Sequence, residues 1–153
     1  MPAQSTNDFT NAYRHGFVRV AAATLTTSLA DPPANAASLL AVARECHDES
    51  VGLVVFPELT LSGYSIEDLL LQDTLLESVE AALADVVAAS ADLLPVLVVG
   101  APLRHRHRMY NCAVVVHRGR VLGVAPKSYL PTDRKSTRLN SSHSGESRMP
   151  SSA

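Results

Sequence analysis

Strand-like and helix-like stretches alternate along most of this chain, and this alternation restricts the architectures that it can adopt. Residues 17–24, 52–56 and 96–99 are short apolar runs typical of buried strands, and we expect the second to be covered on both faces. Two longer segments between them carry apolar residues at intervals of three and four, which is typical of amphipathic helices. The order predicts an α/β fold with a mostly parallel central sheet.

Both predicted helices have recognisable starts. Asp31 followed by Pro32 predicts a capped helix that extends to about His47, because aspartate caps a helix and proline suits its first position. Its apolar stripe consists of Ala36, Leu39, Leu40, Ala43 and Cys46. Asp73 is expected to cap the second helix, whose end is marked by Pro95. The apolar positions of that helix are Leu75, Leu76, Val79, Ala82, Leu83, Val86 and Val87.

A β-hairpin is predicted after the third strand, from residues 110–116 and 121–125 with residues 117–120 between them. The basic run 104–108 precedes it. Because this run has no interleaved aromatic residues, we expect a solvated loop or a subunit contact and not a nucleic-acid site.

A carboxylate, Glu58, follows the second predicted strand. Pro57 has no amide hydrogen to donate and must end the strand, and Gly63 relaxes the backbone. Glu58 is therefore expected on a rigid exit from a core strand and not on a mobile loop. Loops at strand ends carry both catalytic groups and solvent-facing charges, so this pattern alone leaves both interpretations open.

Composition excludes several classes of protein. A chain of 153 residues with 46% hydrophobic content fits one globular domain. It shows no apolar run of membrane-spanning length, and its polar first sixteen residues lack the layout of a secretory signal, so a cytoplasmic location is expected. Cys46 and Cys112 are too few for a disulfide scaffold and lack the histidine spacing of a zinc site.

The last 21 residues differ from the rest. Residues 133–153 are rich in serine and lack apolar periodicity, and the codons of residues 133–143 and 147–153 can be written as a common sequencing adaptor. We expect this segment to be translated adaptor, with a natural disordered tail as the alternative. Residues 1–132 then carry nine basic and thirteen acidic side chains, a net charge of −4. An acidic domain is a poor partner for nucleic acid.

Two motifs resemble a known family. Glu58 within FPELTLSGY, and Lys127 within PKSYLP, are similar to the first two members of the Glu-Lys-Cys triad of the nitrilase superfamily of carbon-nitrogen hydrolases. Over residues 9–132 the chain also resembles the N-terminal glutaminase domain of bacterial glutamine-dependent NAD synthetases, through YRHGFVRVAAAT, SGYSIEDLLLQD, LPVLVVGAPLRHRHRMYN and VLGVAPKSYLPT. This resemblance implies a nitrilase-like α-β-β-α sandwich, of which residues 1–132 would form the N-terminal part.

The resemblance also implies roles for three side chains. Amide hydrolysis through a covalent intermediate needs a thiolate, a base that also acts as an acid, and a positive group for the oxyanion. By resemblance Glu58 is the base and Lys127 stabilises the oxyanion, both in a dry pocket, although Lys127 alone would be interpreted as an exposed turn lysine. Tyr64 would line the glutamine pocket, and a core tyrosine with a satisfied hydroxyl is the rival interpretation.

The nucleophile of the family is missing. It lies beyond the lysine, whereas Cys46 precedes Glu58 on a helical stripe and Cys112 lies in a hairpin strand, where buried cysteine is usually inert. We therefore expect this chain to be inactive, and also poorly soluble, because an unfinished sheet exposes apolar edges.

The implied parent protein hydrolyses glutamine to glutamate and ammonia, and a synthetase domain uses the ammonia for ATP-dependent amidation of nicotinic acid adenine dinucleotide to NAD. ATP and magnesium belong to that domain, since no phosphate-cradling glycine loop occurs in this sequence, and no cofactor or metal is expected here. The parent is expected to be a homo-oligomer without a membrane partner. A stand-alone amidase or carbamoylase, and a non-catalytic α/β interaction module, remain alternatives.

Overall fold

The structure, a computed structural model, describes residues 11–106 and 108–128 as one five-stranded sheet with two long helices. The strands are β1 (Val20–Ala22), β2 (Leu53–Val55), β3 (Val96–His105), β4 (Arg108–His117) and β5 (Arg120–Pro126). The helices are α1 (Pro32–Asp48) and α2 (Asp73–Ala89), and short 3-10 helices span Ala12–His15, Glu67–Leu71 and Ser90–Asp92. Within the described ranges no helix is both long and apolar enough to cross a membrane.

The strands lie in the sheet in their chain order, from β1 to β5. The first three are parallel, and β4 and β5 add antiparallel strands at one side, which confirms the predicted βαβαβ order followed by a hairpin. Arg118 and Gly119 close the β4–β5 hairpin with positive φ angles of 45° and 74°, as a two-residue hairpin turn requires.

The start of α1 agrees with the sequence prediction and that of α2 does not. Asp31 accepts a hydrogen bond from the amide of Ala34, and Pro32 is the first helical residue. In α2 the N-cap is Gln72, which makes no side-chain capping bond, and Asp73 is already helical. The Asp73 carboxylate instead pairs with Arg104 at 2.6 Å, so a long-range partner replaces the predicted local cap.

The strand lengths also differ from the predictions. β1 and β2 are shorter than residues 17–24 and 52–56, whereas β3 extends from the predicted end at Val99 to His105. Antiparallel pairing with β4 continues to His105 opposite Arg108 and draws these residues into the strand. Arg104 and His105 therefore lie in β3 and Arg108 lies in β4, instead of in a loop before a hairpin. His107 and residues 129–153, including the expected adaptor segment, lie outside the described residues.

The two faces of the sheet have different surroundings. On one face, side chains from β2, β3 and β4 join the apolar stripes of α1 and α2 in a single hydrophobic core. The sheet contributes Val54, Leu97, Val99, Ala101, Cys112, Val114 and Val116 to this core. Because strand side chains alternate, Val55 points to the other face, where it is 41% exposed. The prediction that this strand is covered on both faces is therefore wrong for the described residues.

Candidate active site

The turn that carries Glu58 is fixed to the middle of the sheet. β2 ends at Val55, after which the amide of Phe56 donates to the carbonyl of Val98 at 2.9 Å. Further along, the amide of Leu61 donates to the carbonyl of Gly100 at 3.2 Å. Both hydrogen bonds go to β3, so the strand exit containing Glu58 is held at each end, as the sequence predicted.

The turn itself reverses direction through two residues with left-handed backbone. Leu59 has φ of 53° and Gly63 has φ of 83°, and the amide of Gly63 donates to the carbonyl of Leu59 at 2.8 Å. Leu59 is 3% exposed and Leu61 is fully buried. These buried neighbours anchor the turn while the Glu58 side chain points away from the core.

Asn35 supports the turn from α1. It is 1% exposed, and its amide nitrogen donates to the carbonyls of Leu61 at 3.0 Å and Ser28 at 2.7 Å. Its oxygen accepts from the amide of Ser28 at 2.7 Å. One buried side chain thus ties the loop between β1 and α1 to the turn after β2.

Lys127 reaches Glu58 from the end of the last strand. Its backbone amide donates to the carbonyl of Asn111 at 2.8 Å, which continues the β4–β5 pairing past Pro126. Its Nζ lies 2.9 Å from Oε1 and 3.1 Å from Oε2 of Glu58. The structure therefore brings together the two side chains that the sequence singled out, across 69 residues of chain.

Asn111 is a third member of this cluster that the sequence analysis missed. Its side-chain nitrogen donates a hydrogen bond to Oε1 of Glu58. A signal was available, because Asn111 is a polar residue on the same face of β4 as Ala113 and Val115, in a strand that otherwise reads as apolar. The sequence pattern alone places Asn111 in a hairpin strand and gives it no further role.

Glu58 and Lys127 line a pocket of about 270 Å³ on the sheet face opposite the helices. This volume is near the lower end of the usual range for small-molecule sites, about 300–1,000 Å³. The remaining lining residues are Val55, Phe56, Val98, Gly100, Asn111, Cys112, Ala113, Ala125 and Pro126. The side chain of Glu58 is 39% exposed and that of Lys127 is 30% exposed, so the described residues do not form the dry pocket that was expected.

Tyr64 is the one predicted site residue that the structure does not place beside the pair. It is 41% exposed and is not among the residues that line the pocket. Its assignment to substrate binding stays a prediction.

Both cysteines are buried, as the sequence analysis expected. Burial raises the pKa of the Cys112 thiol. Burial also raises the pKa of Cys46, and the nearby carboxylates of Glu49 and Glu45 add to that shift. A raised pKa disfavours the thiolate, so neither side chain has the character of a nucleophile.

This arrangement suits proton transfer next to a positive charge. An ionised carboxylate can accept a proton and return it, and an ammonium group can stabilise a developing negative charge. Among residues 11–106 and 108–128 there is no group of three or more His, Cys, Asp or Glu side chains that could hold a metal ion.

Comparison with known proteins identifies the family. Residues 19–151 match the model of the carbon-nitrogen hydrolases. The chain belongs to the carbon-nitrogen hydrolase family. This confirms the predicted family, and the position of Glu58 beside Lys127 is consistent with membership.

Among the curated carbon-nitrogen hydrolase relatives, the chain is similar to glutamine-dependent NAD(+) synthetases. It is 72% identical over 128 residues to that of Mycobacterium tuberculosis, covering 84% of this chain and 19% of the relative. The synthetase of Mycobacterium leprae is 70% identical, and the match again covers 84% of this chain and 19% of the relative. The synthetase of Aquifex aeolicus is 37% identical, and the match covers 71% of this chain and 19% of the relative. The chain thus spans about a fifth of the length of these relatives.

Solved structures confirm the predicted fold class. A glutamine-dependent NAD(+) synthetase from Cytophaga hutchinsonii superposes with a TM-score of 0.70 at 28% identity, covering 76% of this chain and 20% of that one. An amidase from Nesterenkonia sp. superposes with a TM-score of 0.63 at 20% identity, covering 78% of this chain and 46% of that one. The second likeness concerns the fold alone.

Proposed function

We propose that this chain is the N-terminal part of a glutamine-hydrolysing domain, in which Glu58 is the general base and acid and Lys127 stabilises the oxyanion. The observation that carries the proposal is the contact between Lys127 Nζ and both carboxylate oxygens of Glu58 at the pocket. The 72% identity to a glutamine-dependent NAD(+) synthetase supports glutamine as the substrate.

The reaction needs a thiol, which we assign to the continuation of the longer protein because both cysteines of this sequence are buried in the core. Glu58 accepts the thiol proton while the sulfur forms a bond to the amide carbon of glutamine. The negative charge that develops on the amide oxygen is stabilised by the ammonium group of Lys127.

The second half of the reaction reuses the same groups. Glu58 returns the proton to the amide nitrogen, the carbon-nitrogen bond breaks, and ammonia leaves a thioester behind. Water then attacks the thioester, Glu58 accepts a proton from that water, and the sulfur leaves as a thiol after the proton is returned. Glutamate is released, and each proton that Glu58 takes up is given back.

The ammonia is proposed to pass to a synthetase domain of the longer protein, where ATP and magnesium support the amidation of nicotinic acid adenine dinucleotide to NAD. We infer a cytoplasmic, homo-oligomeric enzyme. Residues 1–132 are assigned to the hydrolase domain and residues 133–153 to translated adaptor. The Mycobacterium relatives match this chain over 128 residues, whereas the family match extends to residue 151. The DNA sequence of the source gene beyond codon 132 is therefore the direct test of this boundary.

The function is tested with the protein encoded by that gene. The purified protein is assayed for ammonia release from glutamine, asparagine and a small aliphatic amide, each with and without ATP and nicotinic acid adenine dinucleotide. The proposal expects hydrolysis of glutamine and glutamine-supported formation of NAD. Hydrolysis of the aliphatic amide without activity on glutamine would instead identify a stand-alone amidase and overturn the proposal.

A further inference from the structure

The geometry points to Asn111 as a positioning residue that occupies Oε1 of Glu58 and leaves Oε2 as the oxygen that carries the proton. This inference rests on the proposed function for its catalytic meaning. Its structural part, that Asn111 holds the Glu58 carboxylate in one orientation, can be measured without any activity.

The two carboxylate oxygens of Glu58 have different partners. Oε1 accepts from the side-chain nitrogen of Asn111 and from Lys127 Nζ at 2.9 Å. Among the side-chain hydrogen bonds of the described residues, Oε2 accepts one, which comes from Lys127 Nζ at 3.1 Å. Because each carboxylate oxygen has about two acceptor positions, Oε1 is filled and Oε2 keeps one position open for a proton.

The orientation of the Asn111 amide follows from its partner. An ionised carboxylate can only accept hydrogen bonds, so the nitrogen of the amide, and not its oxygen, has to face Glu58. This hydrogen bond fixes the rotation of the carboxylate, with Oε1 on the side of Asn111.

Asn111 also contacts the other member of the pair. Its backbone carbonyl accepts the amide hydrogen of Lys127 at 2.8 Å, while its side chain binds Glu58. The side chain of Glu58 comes from the turn after β2, and Lys127 comes from the end of β5. One residue of β4 therefore contacts both members of the pair.

The test uses two substitutions of similar volume. Asn111→Leu removes the donor, and Asn111→Asp keeps the shape of the side chain while placing a second carboxylate next to Glu58. Asn111→Gln retains the amide and serves as the rescue variant. Met109→Leu, two residues earlier on the same strand, is the control for a change in β4 that leaves Glu58 untouched.

The activity-independent measurement is a double-mutant cycle on the unfolding equilibrium of the 153-residue chain, with Glu58→Met as the second substitution. Because Asn111 and Glu58 are hydrogen-bonded, the combined effect of Asn111→Leu and Glu58→Met on the unfolding constant is expected to differ from the product of the single effects by at least about threefold. Met109→Leu combined with Glu58→Met is expected to show no such coupling.

The kinetic measurement uses the longer protein and glutamine. Asn111→Leu and Asn111→Asp are expected to lower kcat by at least about tenfold with little change in KM, and Asn111→Gln is expected to recover part of the loss. Independent effects of Asn111→Leu and Glu58→Met on the unfolding constant would overturn the positioning role. Coupling between them in a protein that does not hydrolyse glutamine would keep the positioning role and remove the proposed function.

Discussion

Gly100 lies directly against Pro57, so closely that a Cβ atom on Gly100 would stand 2.2 Å from the carbonyl oxygen of Pro57. The same atom would be 2.7 Å from the amide nitrogen of Leu59. Real Cβ atoms do not approach backbone atoms this closely. The position of Glu58, which lies between Pro57 and Leu59, therefore depends on the absence of a side chain on the neighbouring strand.

Replacing Gly100 with alanine is expected to push the Glu58 turn away from β3. The clash is with backbone atoms, which cannot rotate away, so the free energy of unfolding should fall by about 3 kcal/mol. Denaturant unfolding of the 153-residue chain measures the change. Gly123→Ala is the matched control, since a Cβ there meets no atom within 4 Å, and its stability should stay within about 1 kcal/mol of the parent chain. Equal stability of both variants would disprove the close approach.

The buried side chain of Asn35 is expected to be required for the folded turn. Asn35→Ala leaves the carbonyl groups of Leu61 and Ser28 without their donor, and should lower the free energy of unfolding by about 2–3 kcal/mol. Ser38→Ala, which removes an exposed hydroxyl bonded to the carbonyl of Ala34 in the same helix, should change it by less than about 0.5 kcal/mol. Thermal or urea unfolding compares the two, and the prediction fails if Asn35→Ala is as mild as Ser38→Ala.

The two thiols are expected to be unreactive in the folded chain. Because burial raises the pKa of Cys112 and Cys46, both remain protonated at neutral pH and should react with iodoacetamide much more slowly than in urea, as mass spectrometry can show. The thiol pKa is about 8.5 in the unfolded chain and higher in the folded one. The stabilisation that this difference gives is therefore fully present below about pH 8.5, and it is lost as the pH rises through the folded-state pKa.

Because both thiols are buried and protonated, the 153-residue chain is expected to release no ammonia from glutamine above background. Cys112→Ala is expected to have little effect on ammonia release by the longer protein. Robust release by the short chain, abolished by Cys112→Ala, would show that Cys112 is the nucleophile after all.

The order of elements and the pairing of Glu58 with Lys127 could be predicted from the sequence because each is signalled by local motifs. Valine-rich runs, the Asp31-Pro32 helix start and the FPEL and lysine motifs all lie within short segments. Asn111 and Gly100 were missed because their importance arises from contacts with the Glu58 turn more than forty residues earlier in the chain. A glycine inside an apolar strand was a usable signal for close backbone approach.

Asp73 and β3 show two features that local sequence patterns could not predict. Asp73 has the sequence of a helix cap, yet Arg104 on β3 is a charged partner that no local pattern contains. The length of β3 is likewise set by its pairing with β4, since each residue up to His105 gains a partner across the hairpin. Register and long-range ion pairs depend on the folded sheet, and alternation along one segment cannot specify them.

The central claim, that Glu58 and Lys127 act together on glutamine, is tested most directly by a double-mutant cycle in the longer protein. Ammonia release is measured for Glu58→Gln, Lys127→Met, the double variant, and Glu80→Gln as an exposed control on α2. Each single variant should lose at least about 100-fold in kcat/KM, the double variant should lose far less than the product of both losses, and Glu80→Gln should match the parent. A Glu58→Gln protein that keeps kcat/KM within about threefold of the parent would contradict the account.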